Sequence, residues 1–307
     1  MEYPVHQPVL YHEIILALNP ISAGRYVDGT LGAGGHARGI LNTSSPDGIL
    51  LGLDLDPVAL ALAKKNLASF GDRMIIKKAS FSTLTDQLGQ LGWSEIDGML
   101  LDLGASSMQF DTPDRGFSFQ TSGDLDMRFD PTNPLTASIL VNESSESELA
   151  SILSHYGEEP HSRRIARAIV ATRPITNTLH LAEVIRSTNP VREKIHPATR
   201  TFQALRIAVN DELLSLERVL PQAIRSLKIG GRLAVISFHS LEDRIVKKFF
   251  RQESKDCICP PRQPVCTCDH QASVREINHR PYLATKEEIE INPRSRSAKL
   301  RVAEKIH

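Results

Sequence analysis

The chain has 307 residues, 41% of them hydrophobic, and its 36 lysines and arginines balance 36 aspartates and glutamates. Such a composition supplies the core of one large domain or two ordinary ones and excludes a disordered chain. Zero net charge gives no argument for nucleic-acid binding. No apolar stretch approaches a bilayer span and no charged-then-apolar leader precedes a cleavage-like site, so a cytoplasmic protein without membrane contact is expected.

In chain order the first elements read as strand, helix, strand. A strand is predicted at 25–28, a helix beginning at 36–41 and a second strand at 49–54, after which Pro57 suits the first turn of a helix running to about Phe70. A third strand (74–77), a helix (81–91) and a fourth strand (96–102) follow. Near-continuous apolar runs separated by helices favour a parallel sheet. After Leu103 the rhythm changes. A long, glycine-rich stretch from Gly104 to Pro134 precedes helical patterns at 146–155, 162–171 and 179–186, then one from about Ala204 toward Leu227. A helical insertion over roughly 105–210 is the simplest reading, between core segments 1–104 and 211–307. The sheet resumes at 233–238. Ser240, Glu242 and Asp243 open another helix with acids at its positive end. Strands at 274–277 and 298–306 are expected as the last two, giving a seven-stranded sheet closed by an antiparallel edge.

The stretch YVDGTLGAGGHA (26–37), with Asp54 eighteen residues beyond His36, carries the chemistry. An apolar strand delivers Asp28, and the glycines after it let the backbone turn and approach a ligand; Asp54 ends the next strand where a ribose would present its hydroxyls. A dinucleotide needs a helix N-terminus facing its pyrophosphate, and Asp28 is poorly placed beside one. S-adenosylmethionine has no phosphate and carries an ammonium that an acid can receive. Asp28 therefore points to that methyl donor. There is no phosphate loop, HExxH or serine nucleophile elbow to favour hydrolytic chemistry. Asp102 ends the fourth strand and should enter the cleft, where it could orient the donor's adenine or methionine end or the acceptor nucleophile, or could simply cap a turn. Phe81 is placed either to pack on an adenine face or to join the core.

All four cysteines fall in CICPPRQPVCTC (257–268), within a loop reaching residue 270. They are too clustered for a disulfide framework. Two readings stand: Cys257, Cys259, Cys266 and Cys268 hold a structural zinc ion, with His270 as a spare ligand, or they are reduced, metal-free loop cysteines. Charge is also uneven. Residues 143–159 carry five acids and no lysine or arginine, whereas 161–206 carry nine lysines or arginines against two glutamates. Arg163, Arg164, Arg167, Arg200 and Arg206 form one candidate nucleic-acid surface, and Arg294, Arg296, Lys299 and Arg301 a second.

Eight segments in order, HQPVLYHEII (6–15), DGTLGAGGHA (28–37), LDLGASSMQFD (101–111), RGFSF (115–119), DMRFDP (126–131), HPATRTFQALRIAVN (196–210), SFHSLEDRIVK (237–247) and NPRSRSAKLR (292–301), resemble the bacterial 16S ribosomal RNA cytosine-N4 methyltransferases that modify a decoding-centre cytidine. The resemblance implies a class I, Rossmann-like α/β methyltransferase with a seven-stranded, mostly parallel sheet and an inserted helical recognition domain. It implies S-adenosyl-L-methionine as donor, the small ribosomal subunit's 16S RNA as partner and no catalytic metal, and a homodimer is compatible with it. Cofactor contacts would fall on Gly34, Gly35, His36, Asp54, Phe81, Asp102 and Gln109, beside Asp28 from the residue-level reading. Asp102, Ser106, Ser107 and Asn210 are candidates for the base or for holding N4; Asn210 could instead brace a helix, and His239 is either a proton acceptor or structural. The sequence departs from other amino-methylating enzymes in having DLGASS where they carry a DPPY-type loop. The alternatives are a donor-dependent enzyme acting on another RNA or a small molecule, and a non-catalytic RNA-binding module. The second would show a damaged glycine loop or lack Asp54 or Asp102.

Overall fold

A computed structural model of the chain describes residues 8–188, 196–260, 263 and 265–307. His6 and Gln7 of the first matching segment, and Arg192 and Lys194 of the basic stretch, lie outside the described residues. The chain divides into two units, residues 1–104 with 213–307, and residues 105–212.

The first unit begins with α1 (Tyr11–Leu18), β1 (Arg25–Asp28), α2 (Gly35–Thr43), β2 (Ile49–Asp54), α3 (Pro57–Asn66), β3 (Met74–Lys78), α4 (Leu84–Gln90) and β4 (Ile96–Asp102). The second unit contains α5 (Ser107–Asp111), α6 (Ala137–Glu143), α7 (Glu146–Gly157), α8 (Ser162–Thr172), α9 (Thr178–Thr188) and α10 (Ala198–Asn210). The chain then continues through α11 (Glu212–Ser226), β5 (Leu227–Ser237), α12 (Ser240–Glu253), β6 (Val274–Glu276), β7 (Tyr282–Leu283), α13 (Lys286–Ile291) and β8 (Lys299–Lys305).

The sheet order is β3-β2-β1-β4-β5-β8-β6. β3, β2, β1, β4 and β5 run parallel, while β8 is antiparallel to β5 and β6. The seven expected strands form this path. An eighth, the two-residue β7, pairs with β8 at Tyr282–Leu300 and Leu283–Lys299. Alternation along the strands explains why the apolar runs are continuous. Val27, Leu51, Leu53, Met99 and Leu101 face one layer, packed on α4, α11 and α12 through Leu84, Leu220 and Phe250. Tyr26, Leu50, Leu100 and Ile236 face the other, packed on α1, α2 and α3 through Ile14, Ile40 and Ala63. A strand covered on both faces has no solvent side to make polar. Each such Leu or Ile contributes about 1.5–3 kcal/mol by its burial.

The second unit has its own core, in which Leu149, Leu153, Ile165, Ile169, Leu181 and Leu205 pack helix against helix. Where a single helix is expected from Ala204 toward Leu227, there are two. Asp211 between α10 and α11 is left-handed (φ 52°) and its N–H closes the end of α10 on the Ile207 carbonyl. Aspartate tolerates that conformation better than most residues.

α12 opens at Ser240 as expected, with Glu242 and Asp243 in its first turn; its N-cap is His239, with Glu242 completing a reciprocal capping arrangement. Glu242 Oε2 accepts the Phe238 N–H at 2.8 Å, and its Oε1 lies 3.1 Å from His239 Nε2. His239 thus starts a helix in this fold.

Candidate active site

In parallel α/β sheets a ligand binds at the carboxyl ends of the strands, where the strand order reverses. Here the chain winds outward from β1 through β2 to β3, then returns to the other side of β1 as β4 and β5. Three neighbouring strands on this edge end in acids: Asp54 on β2, Asp28 on β1 and Asp102 on β4. Asp28 pairs with Gly52 and Leu100, so the other two acids stand two residues further along the sheet edge.

Asp28 is 1% exposed, and its Oδ1 accepts the Thr30 N–H at 3.1 Å. Thr30 in turn links two strand ends, because its Oγ1 accepts the Asp102 N–H at 2.6 Å. Asp54 holds the glycine turn to the start of α3, with Oδ2 accepting Gly32 N–H at 2.8 Å and Oδ1 accepting Asp56 N–H at 2.9 Å. Asp56 is itself the N-cap of α3 through Val58 N–H. Neither Thr30 nor Asp56 is singled out by the sequence reading; the Asp-Pro pair at 56–57 is the signal that marks the second.

The glycines divide their roles. Gly32 (φ +53°) faces open space, and a Cβ there would meet only the Thr30 carbonyl, at 4.0 Å. Gly34 (φ +85°) and Gly35 are required by the protein itself: a Cβ would come within 2.6 Å of a Leu67 methyl at Gly34 and 2.4 Å of the Pro8 ring at Gly35. Their contribution is to seat α2, on whose first turn His36 stands. The His36 ring is 6% exposed, stacks on Tyr11 at 6.2 Å and brings Nε2 to 3.6 Å from Asp102 Oδ2. Both His36 nitrogens and Asp102 Oδ1 are buried without a hydrogen-bond partner. Phe81 follows β3 in a short 3-10 turn, close enough that a Cβ on Gly29 would meet its own Cβ at 3.1 Å.

The electrostatics favour a cation. Burial pushes the Asp28 carboxyl up to about 7, His36 and the Thr30 N–H pull against that rise, and Asp102 and Asp54 add to it. Asp54 is also raised by burial, against the backbone N–H groups of Asp56, Gly32 and Leu55. Phosphates would meet three carboxylates here and no lysine or arginine between residues 28 and 37. A ligand with a ribose, an ammonium and a sulfonium fits the residues gathered here: unpartnered polar atoms of His36 and Asp102, the carboxyls of Asp28 and Asp54, and the aromatic Phe81.

A pH dependence follows from Asp28. Its folded-state pKa lies above its unfolded value, so the native state holds a proton that the unfolded chain has lost. This carboxyl's contribution to stability is therefore complete below the ordinary carboxylate range and lost as pH rises through about 7. A cationic ligand acts in the opposite sense, because it binds the ionised form. Donor affinity should rise about tenfold between about pH 6 and about pH 8 and then level off. Asp28→Asn should flatten that profile. Calorimetric titrations of both proteins across the range check this, and an affinity that is flat or falling in the unaltered protein contradicts it.

Ser106, Ser107, Gln109 and Asn210 belong to the second unit. Ser106 caps α5, its N–H donating to Gln109 Oε1 at 2.9 Å and its Oγ accepting Gln109 N–H at 3.4 Å. Ser107 is the first residue of that helix, and Gln109 is buried. Asn210 spends its amide on the backbone: Oδ1 accepts Phe129 N–H at 2.7 Å, and Nδ2 donates to the carbonyls of Met127 (2.7 Å) and Arg206 (2.9 Å). Both of its N–H donors are committed to backbone carbonyls, so it braces the DMRFDP segment. Some expected RNA contacts are likewise occupied within the fold. Arg206 forms a two-pronged pair with Glu212 at 2.8 and 3.0 Å. Arg301, 4% exposed, and Lys299 both pair with Asp243. Arg163, Arg164 and Arg167 are exposed on α8, and Arg294 and Arg296 are exposed in the 3-10 turn before β8.

The family model described as the MraW methylase family matches residues 4–306. The chain is 53% identical over 307 residues to a ribosomal RNA small subunit methyltransferase H of Dehalococcoides mccartyi strain BAV1, covering 100% of this chain and 88% of that protein. Proteins of the same name from Heliobacterium modesticaldum (50% identical, 98% of both chains) and Geobacter sulfurreducens (52%, 98% of this chain and 99% of that one) are similar throughout. With strand-end acids, a glycine turn and full-length similarity in agreement, the chain belongs to the MraW methylase family.

Proposed function

We propose that this protein transfers the methyl group of S-adenosyl-L-methionine to the exocyclic N4 of a specific cytidine in the decoding region of 16S ribosomal RNA, acting on the small subunit in the cytoplasm. The observation that carries the reading is the alignment of Asp54, Asp28 and Asp102 on three adjacent strand ends, in a chain that resembles such enzymes over nearly its whole length. The donor supplies a methyl group already activated on a sulfonium. Asp54 is suited to the ribose hydroxyls, Asp28 to the ammonium, and Phe81 to the adenine face.

Cytosine N4 is a poor nucleophile because its lone pair is delocalised into the ring. Asp102 Oδ1, buried and without a partner, is the group suited to accept an N4 hydrogen as the new N–C bond forms and the C–S bond breaks. His36 Nε2 lies 3.6 Å from the other oxygen of that carboxylate, in contact without a hydrogen bond, so the ring limits where Asp102 can turn. Ser106 and Gln109 fix the turn that begins the second unit, and Asn210 braces it from within. The deciding assay combines the purified protein, labelled donor and small subunits lacking the modification, with digestion of the RNA to nucleosides. Label in N4-methylcytidine supports the proposal; label confined to another nucleoside overturns it.

RNA recognition is assigned to the exposed arginines at the start of α8. Pro160, His161, Ser162, Arg163 and Arg164 line a shallow depression at the helix N-terminus, a favourable place for a phosphate. Reversing Arg163, Arg164 and Arg167 to glutamate should weaken RNA binding about 100-fold at low salt and much less at high salt, because fewer counterions are then released. A salt titration of RNA affinity with the same slope in both proteins contradicts this assignment.

A further inference from the structure

The cysteine loop takes no part in the reaction described above, and its geometry points to a different ligand. The loop leaves α12 and returns at β6. Its base is closed by Ser273 N–H to the Glu253 carbonyl (2.8 Å) and Ser273 Oγ to Glu253 Oε2 (2.8 Å). Beyond that base the large apolar side chains among the described residues are not buried: Ile258 is 43% and Val265 70% exposed. A loop without a core needs another source of order.

All four cysteines are free, and their sulfurs lie within 4.8 Å of one another. The separations are 3.5 Å for Cys257–Cys266, 3.5 Å for Cys266–Cys268 and 3.8 Å for Cys268–Cys257. A disulfide would require about 2.05 Å. Four sulfurs each about 2.3 Å from a central ion define a tetrahedron with edges of about 3.8 Å. The backbone adds a second, independent indication. Ile258, between the first two cysteines, donates its N–H to Cys268 Sγ at 3.4 Å, and Thr267, between the last two, donates to Cys259 Sγ at 3.4 Å. Each CxC segment thus turns its peptide toward a sulfur of the other in a near-symmetric arrangement, and such N–H donors stabilise the charge of a metal-bound thiolate. His270 is not part of the set, since its Nε2 is 3.1 Å from the Gln252 carbonyl.

We propose that Cys257, Cys259, Cys266 and Cys268 bind one zinc ion that orders the loop between α12 and β6, apart from the methyl-transfer site. Four thiolates in a closed tetrahedron leave no position for water or substrate, so the ion is structural. The full-length protein, purified under reducing conditions and desalted, should contain one equivalent of zinc by mass spectrometry of the digested sample. Cobalt replacing it should show the absorption of tetrahedral thiolate coordination.

The double variant Cys257→Ser, Cys266→Ser should retain under a tenth of an equivalent, bind donor with unchanged affinity, and be cut by trypsin at Lys255 about tenfold faster than the zinc-loaded protein. Unchanged donor binding shows that the variant is folded. Iron in place of zinc, two disulfides in the reduced preparation, or four free thiols with no metal would overturn the proposal.

Discussion

Asp54→Ala is expected to lower donor affinity about 100-fold, close to 3 kcal/mol. Two losses combine. The ribose hydroxyls would lose a charged acceptor, worth about 1.5–3 kcal/mol for hydrogen bonds of that type. The two backbone N–H groups that Asp54 now satisfies, on Gly32 and Asp56, would also lose the contact that fixes the glycine turn against α3. Asp54→Asn should do little better. An amide offers one acceptor oxygen where the carboxylate uses both, so its NH2 would face the N–H of either Gly32 or Asp56. Calorimetric titration of donor into each variant, with circular dichroism to establish folding, measures the effect. A loss of less than threefold in a folded Asp54→Ala protein contradicts the role assigned to this residue.

Asp102→Asn is expected to act on the rate. The substitution is nearly isosteric, keeps the backbone N–H that donates to Thr30, and removes the charge that accepts a proton from N4. General-base contributions of this kind are worth about 10²–10⁴ in rate. A fall of about 10³ in kcat, with donor affinity within about tenfold of the unaltered protein, is the predicted pattern. His36→Gln should give a smaller fall of about tenfold, since it disturbs the orientation of Asp102 without removing the acceptor. Single-turnover measurements on small subunits separate the two effects, and a fully active Asp102→Asn enzyme contradicts the mechanism.

The strands that place these acids are legible because parallel pairing and double-sided burial leave a simple mark. Ile49–Asp54 and Ile96–Asp102 are apolar runs that stop at a carboxylate, where the chain leaves the core. The start of β5 is harder to read. Gly230 and Gly231 suggest a turn, yet the strand runs from Leu227, with a register irregularity against β4 between Ile96 and Gly98. The division of α10 from α11 is invisible locally, because the side chain beside the break, Asn210, answers to Met127 and Phe129 more than eighty residues earlier.

The site shows the same contrast between local and distant information. Asp54 announces itself by following its strand, whereas the proximity of His36 to Asp102 and the Thr30 bridge depend on β1 and β4 lying side by side. Basic residues are the least legible feature. Arg206 and Arg301 look like surface charge in the sequence, and only the fold reveals that Glu212 and Asp243 hold them. Arg163, Arg164 and Arg167 differ because Ile165, Ala166 and Ile169 take the buried face of α8 and leave the arginines outward.

The central claim is that the edge formed by Asp54, Asp28 and Asp102 holds the methyl donor, with Asp102 nearest the transferred group. A crystal structure of the full-length protein with S-adenosyl-L-methionine tests it most directly. The ribose hydroxyls are expected on the Asp54 carboxylate, the ammonium at Asp28, and the methyl group directed along the end of β4. A donor bound elsewhere, or bound here with its ammonium away from Asp28 and its ribose away from Asp54, would contradict it.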